Sequence, residues 1–358
     1  MKNFSYFLLC LAVIFSVSIA KAQTVSTWDG TAAIWTHGNG TQADPYLIES
    51  AQNLAWIAEM VNGGVATYAG VWFKLTTDLN MNNIAWVPIG NSTTNLFQGK
   101  FDGDNHFIDN ISITGNYTYL GLFGITGDGF RCENLGVNTN ILVYRSYGGG
   151  IVAYTTGANT IIQHCYNTGT LQGGRNGGIV GVNNATGTQI ISCNNFGNTA
   201  SGSNGGGIVG ENAGALYIYS CSNFGDNYRG GIVCKNTNTL NIQNCFNTRD
   251  VSTATNHSSG GIVGENASTL NIYNCYNTGN VTATTSESCD CSCYYSKYSY
   301  SGGMIGYSEG TLNIYNCYNR GIISSTTHRS MIREYHCVRS FPWITSRQRC
   351  RASETLPL

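Results

Sequence analysis

The chain is organised by a recurring phrase. Gly-Ile-Val-Gly at 261–264 is followed by Leu-Asn-Ile-Tyr-Asn-Cys-Tyr-Asn at 270–277. The first half returns at 178–181, 207–210 and, as Gly-Met-Ile-Gly, 303–306; at 231–233 it lacks its last Gly. Each copy, and Gly150-Ile151-Val152 before them, leads to a run carrying one Cys, and Cys165, Cys193, Cys221, Cys245, Cys275 and Cys317 are spaced by 28, 28, 24, 30 and 42 residues. Self-similarity at such a period implies a solenoid or a propeller. A propeller blade needs four strands from about 40–45 residues, more than most of these units supply.

Composition sharpens this. With 10% charged residues and a formal net charge of -1 over 358 residues, there is no basic field for nucleic acid. Gly at 45 and Pro at only 4 suit short strands joined by tight turns. Residues 1–22 read as a secretory signal peptide: Lys2, an apolar core over 4–19, and Ala20-Lys21-Ala22 as cleavage site, with the mature chain starting near Gln23. Beyond it no stretch reaches the roughly 18 apolar residues that span a bilayer. No cofactor motif is present.

Residues 23–75 read as a leader. Ser50 can cap a helix running to about Asn62, with Leu54, Ile57, Ala58 and Val61 on one face. A solenoid's open end exposes core and strand edges, so this helix is expected to cap it. Residues 76–325 carry the repeats. Residues 326–358 form an atypical Arg-rich tail, read as foreign, disordered or out of frame.

Trp86-Val87-Pro88-Ile89-Gly90, residues 97–103 (Phe-Gln-Gly-Lys-Phe-Asp-Gly) and Gly121-Leu122-Phe123-Gly124 resemble the bacterial GLUG-motif proteins, as do the later Gly-Ile-Val-Gly copies and Asp44-Pro45-Tyr46-Leu47-Ile48. The resemblance covers about residues 28–323. It implies a right-handed parallel β-helix in a secreted or surface protein of a Bacteroidetes-type bacterium. Similar segments flank the zinc domain of immunoglobulin A peptidases. This chain has no His-Glu-x-x-His, so that activity does not carry over.

Comparing the repeats with each other gives positional physics. Two residues after each Cys stands Asn (Asn167, Asn195, Asn223, Asn247, Asn277, Asn319), and two further on Gly, except for Arg249. Stacked coils lie about 4.8 Å apart, so the Asn column is expected to form a hydrogen-bonded ladder. The Gly column is expected to supply a left-handed turn, with a local departure at Arg249. Leu135 and Ile111 occupy what looks like the Cys position in earlier coils. The column is therefore inward and apolar, with Cys as a small hydrophobe, reduced rather than bridged.

The candidate chemistry is sparse. Glu211 and Glu265 stand two coils apart, like an inverting carboxylate pair, but Lys235 lies between them and makes a charge ladder the simpler reading. The column Asn183, Asn212, Asn236, Asn266 reads as structural. Asp102, Asp104, Asp109 and His106 read as a turn rather than a calcium site. Cys289-Asp290-Cys291-Ser292-Cys293 lacks a second ligand cluster for a metal. Beside it, in an insertion at 282–300, Tyr294, Tyr295, Tyr298 and Tyr300 form a candidate contact surface, since Tyr is rich at recognition sites.

These readings combine into an all-β, right-handed parallel β-helix of about seven to nine coils with a short N-terminal helical cap. Each coil should carry a Gly-Ile-Val strand, a Leu-Asn-Ile-Tyr strand and a shorter third edge. The expected function is a non-enzymatic secreted or surface protein adhering to host or microbial glycans or proteins. The alternatives are a polysaccharide lyase or hydrolase on the same fold, and a spacer in a larger surface protein.

Overall fold

The computed structural model describes residues 25–142, 146–172, 174–199, 204–254, 257–284 and 300–325. The signal-peptide segment, Cys289, Cys291, Cys293, Tyr294, Tyr295, Tyr298 and the tail lie outside the described residues.

One coil illustrates the rest. Ser259–Gly260, Val263–Asn266, Leu270–Tyr273, Tyr276–Asn277 and Val281–Thr284 are successive short strands. Each pairs in parallel with its counterpart one coil earlier and one coil later: Val263 with Val233 and Ile305, Leu270 with Leu240 and Leu312, Tyr276 with Phe246 and Tyr318. The chain is a parallel β-helix, and the right-handed crossover is the hand such connections take. The sheet holding Leu270–Tyr273 has ten strands, giving a rod of about nine rises of 4.8 Å, roughly 43 Å. It exceeds seven to nine coils because the leader joins in: Tyr46–Ile48 pairs with Trp72–Leu75, and Val25–Thr27 with Asp78–Asn80. The Gly-Ile-Val segment is two strands rather than one, broken at the Gly-Ile step and assigned to separate seven-stranded sheets.

Inside, like stacks on like. Ile242, Ile272, Leu240 and Leu270 have no exposed surface, and the Cys column is equally buried. Leu135 precedes the Gly136–Tyr166 register pair, so it does sit beneath Cys165. Ile111 does not belong to this column: a bulge between Val137 and Thr139 shifts the register, and Ile111 pairs with Thr139.

The left-handed residue is not the Gly after the ladder Asn. It is the residue before the Cys column, which Leu135 opens: Asn134, His164, Ser192, Ser220, Asn244, Asn274 and Asn316 have φ between 51 and 54°. The Gly column answers to space instead. A β-carbon on Gly279 would lie 1.8 Å from the Arg249 carbonyl oxygen in the previous coil. The Asn ladder also runs past Arg249 without a break, contrary to the expected departure. Asn223 donates to Asn247 Oδ1 at 2.7 Å and Asn247 to Asn277 Oδ1 at 2.7 Å.

The N-terminal end is closed by helix α1 (Ala51–Asn62). Ser50 and Asn53 form a reciprocal capping box at its start. The Ala51 N–H meets Ser26 Oγ at 3.2 Å, while at the far end Asn62 Oδ1 accepts from Gly90 and Asn91 and Asn62 Nδ2 donates to Pro88 O. The helix thus spans the end of the coil and buries Leu54, Ile57, Ala58 and Val61 against the core.

Candidate functional site

Nearly all length variation falls on one arc of the coil; the other arc varies only by one residue, 18 from Gly149 to Asn167 and from Gly177 to Asn195 against 17 in later coils. From Asn223 the chain reaches Gly230 in 7 residues, but from Asn277 it reaches Gly302 in 25. The return, Gly230 to Asn247 or Gly302 to Asn319, takes 17 in both coils. The constant arc carries the ladders and the core. The variable arc ends on the strands Tyr147–Gly149, Arg175–Gly177, Asn204–Gly206, Arg229–Gly230, Ser259–Gly260 and Ser301–Gly302.

Those strands meet the Val-Gly strands along a tight seam. A β-carbon on Gly210 would lie 2.7 Å from the Asn176 carbonyl oxygen, and one on Gly306 2.6 Å from that of Ser259. Along the outside of the seam, side chains from the two sheets pair. Tyr119 and Tyr147 stack at 5.4 Å, and Tyr154 packs edge-on against both at 5.5 Å. Arg175 lies 5.4 Å from the Tyr147 ring and 3.1 Å from Glu211 Oε2. Further up, Arg229 Nη2 donates to Glu265 Oε2 at 2.7 Å. At the last coil Tyr300 stacks on Tyr307 at 5.1 Å.

The seam therefore runs aromatic, charged, aromatic. Glu211, Lys235 and Glu265 are in register as the charge ladder requires. Sequence reasoning missed the two arginines. Their signal was available: Arg175 and Arg229 stand just ahead of Gly-Gly, on the strand facing the Glu column. Arg229 is 3% exposed with φ 89°, a conformation that costs a non-Gly residue strain. In the same coil Cys234 replaces the seam Gly, and burial pushes its thiol up to about 12. Burial, and then neighbouring tyrosines, raise Tyr119 and Tyr154 above the usual phenol range.

Of the expected contact tyrosines, the structure places only Tyr300, at the seam's end. The acidic turn is occupied by protein donors. Asp102 accepts from the Asp104 N–H and Asn134, Asp104 pairs with Lys74 at 3.0 Å, Asp109 accepts from Asn138, and His106 meets Asp78 at 3.0 Å. Among the described residues no three His, Cys, Asp or Glu are placed to hold a metal. The eight described cysteines are free and buried. The Cys193 and Cys221 amides point at the next sulfur in the column, at 3.4 and 3.3 Å. Asn183, Asn212, Asn236 and Asn266 form a second buried ladder, each link 2.8 Å.

No family model matches the chain. A solved chain from Bacteroides ovatus, provisionally described as an immunoglobulin A1 protease, superimposes with a TM-score of 0.59 at 24% identity, covering 78% of this chain and 87% of that one. It has the same fold. Among curated proteins, a Gly-rich protein of Evansella cellulosilytica, provisionally described as a membrane protein, is 27% identical over 162 residues, or 44% of this chain. Halomucin of Haloquadratum walsbyi is 32% identical over 168 residues, also 44% of the chain. The matches span only 18% and 2% of those two proteins. No helix among the described residues is long and apolar enough to cross a membrane.

Proposed function

We propose that this chain is an exported, non-enzymatic surface repeat protein of the GLUG type that binds glycans or proteins. The observation that carries the reading is the division of each coil into a constant arc and a variable one. A rigid frame that concentrates its length changes at one corner is how binding segments are varied without disturbing a core. Tyr300 and the paired seam side chains lie beside that corner. Tyr294, Tyr295 and Tyr298 belong to the longest of these arcs, so the contact role assigned to them is part of the proposal. Against a lyase or hydrolase stands the pairing of Glu211 and Glu265 with arginines, which ties up the carboxylates a catalyst needs.

The test is a screen of the secreted chain for binding to glycan and protein arrays, with polysaccharide depolymerisation measured in parallel. Binding without product release is expected. Product release that disappears in Glu265→Gln would overturn the reading in favour of an enzyme.

A further inference from the structure

A second surface lies on the constant arc. Residues 161–167, 189–195, 217–223, 241–247, 271–277 and 313–319 contain no Lys, Arg, Asp or Glu. They form the outer strands and the corner between them over six successive coils. This face is aromatic as well as uncharged. Tyr217, Tyr219, Tyr273, Tyr315 and Tyr318 are 37–50% exposed, and Phe196, just beyond the corner strand, 49%. Around the corner a file of rings follows the rod axis. Phe196 stacks on Phe224 at 5.0 Å, Phe246 on Tyr276 at 4.8 Å and Tyr276 on Tyr318 at 5.2 Å, while Phe224 meets Phe246 at 81°. These spacings exceed the ~3.5–4.0 Å of direct carbon contact, so the rings are slipped and part of each face stays open. Amides stand between the phenols in their own file: Asn313 donates to Asn271 and Asn271 to Asn241, at 2.9 and 2.8 Å.

We propose that this face binds an uncharged linear polysaccharide lying along the rod axis. The proposal rests on the binding reading above and names its ligand class. Phe196 and Tyr318, half-exposed at the ends of the file, and the partly exposed Phe224, Phe246 and Tyr276 between them gain from being covered. The strands and corner carry no formal charge over six coils. Beside the ring file stand only Arg249, whose Nε donates to Phe224 O at 3.1 Å, and Arg320, in the column of Phe196 and Phe224. The face therefore has little to offer a polyanion or polycation that would offset desolvating it. An outward amide or phenol recurs with each coil, about every 4.8 Å over roughly 24 Å. A polymer presenting hydroxyls and C–H faces at regular intervals repeats its contacts along such a file, whereas a globular partner has no translational repeat to match. Peptide addition by strand pairing is not available along the face. The backbone of each strand below the last coil is already paired on both sides.

The test is co-sedimentation of the full chain with insoluble cellulose, chitin and β-1,3-glucan, and with calcium-gelled alginate and pectate, at low and at molar salt. Depletion by at least one uncharged polymer, unchanged by salt, is expected. Tyr273→Ser/Tyr315→Ser should weaken it about tenfold or more, while Lys74→Ala, on a remote coil, should not. An unchanged thermal melt shows that the double variant is folded. Binding only to the acidic gels, lost in salt, overturns this inference but leaves the broader binding reading intact. Binding to neither these polymers nor any array component defeats both. A concentration-dependent dimer abolished by the same double variant assigns the face to a second copy and also overturns the inference.

Discussion

At the scale of single residues, Asn247 shows what a ladder position does. Its Nδ2 donates to Arg249 O at 2.6 Å and to Asn277 Oδ1 at 2.7 Å, and its Oδ1 accepts from Asn223. Nothing polar replaces these partners at a site with no exposed surface. Asn247→Ala should cost about 3–5 kcal/mol, since orphaned buried groups cost about 1–3 kcal/mol each. Asn241→Ala on the half-buried outer file should cost under about 1 kcal/mol, and urea midpoints would separate the two. The residue before Cys offers the opposite change. Ser220 sits at φ 52°, where a side chain costs about 1–2 kcal/mol and Gly loses about 0.5–1 kcal/mol of chain entropy. Ser220→Gly should therefore raise stability by up to about 1 kcal/mol. The Asn column was legible in the sequence because it is invariant among the repeats. The strained position was not: Asn, His and Ser alternate there, and only the backbone reveals what they share. One buried thiol outside the Cys column sets a pH response. An unfolded thiol loses its proton near about pH 8.5, whereas burial takes Cys234 to about 12. Cys234 then keeps its proton in the folded chain above the lower value and loses it in the unfolded one. Stability is fully present below about pH 8.5 and falls as pH rises towards 12. Urea titrations at about pH 8 and pH 10.5 should show the fall, and Cys234→Ala should reduce it.

At the scale of elements, the two arcs of the coil should tolerate change very differently. Residues added between Ala254 and His257 lengthen an arc that already ranges from 7 to 25 residues, and doubling a loop costs only about 0.6 kcal/mol. One residue added inside Leu240–Gln243 would turn Leu240 or Ile242 outward and bring its neighbours in. Thermal melts of a four-residue Gly/Ser insertion at the first site and a single Ala at the second would decide this: the first should fold, the second should not. The Cys spacings of 28, 24 and 42 held this information, but they sum both arcs, and the seam arginines stayed hidden for the same reason. The cap was legible because it follows a helical period and Ser50 marks its start. Its role is testable too. Leu54→Ala/Ile57→Ala should loosen α1 by several kcal/mol and expose the first coil, so light scattering should report end-to-end association absent from the parent chain.

At the scale of the whole molecule, the rod is a column of near-identical coils closed at one end by α1. Its architecture was legible because each coil restates the same inward Ile, Leu, Asn and Cys pattern. The coil number was not, because the first coils spell their strands with Trp, Phe and Tyr: Trp72, Phe73 and Phe101 stand in the sheet that later carries Leu-Asn-Ile-Tyr. The stacking that makes the fold also decides how it yields to load. The two ends of the described chain lie at opposite ends of the rod, so tension along the axis pulls every inter-coil hydrogen bond lengthwise. Such bonds open one rung at a time rather than shearing together. Each coil freed between Cys165 and Cys275 carries 24–30 residues and extends by roughly 80–110 Å at ~3.3–3.6 Å per residue. A tethered molecule should therefore lengthen in near-equal steps under a low, almost constant force, a stepwise extensible link rather than a brittle strut.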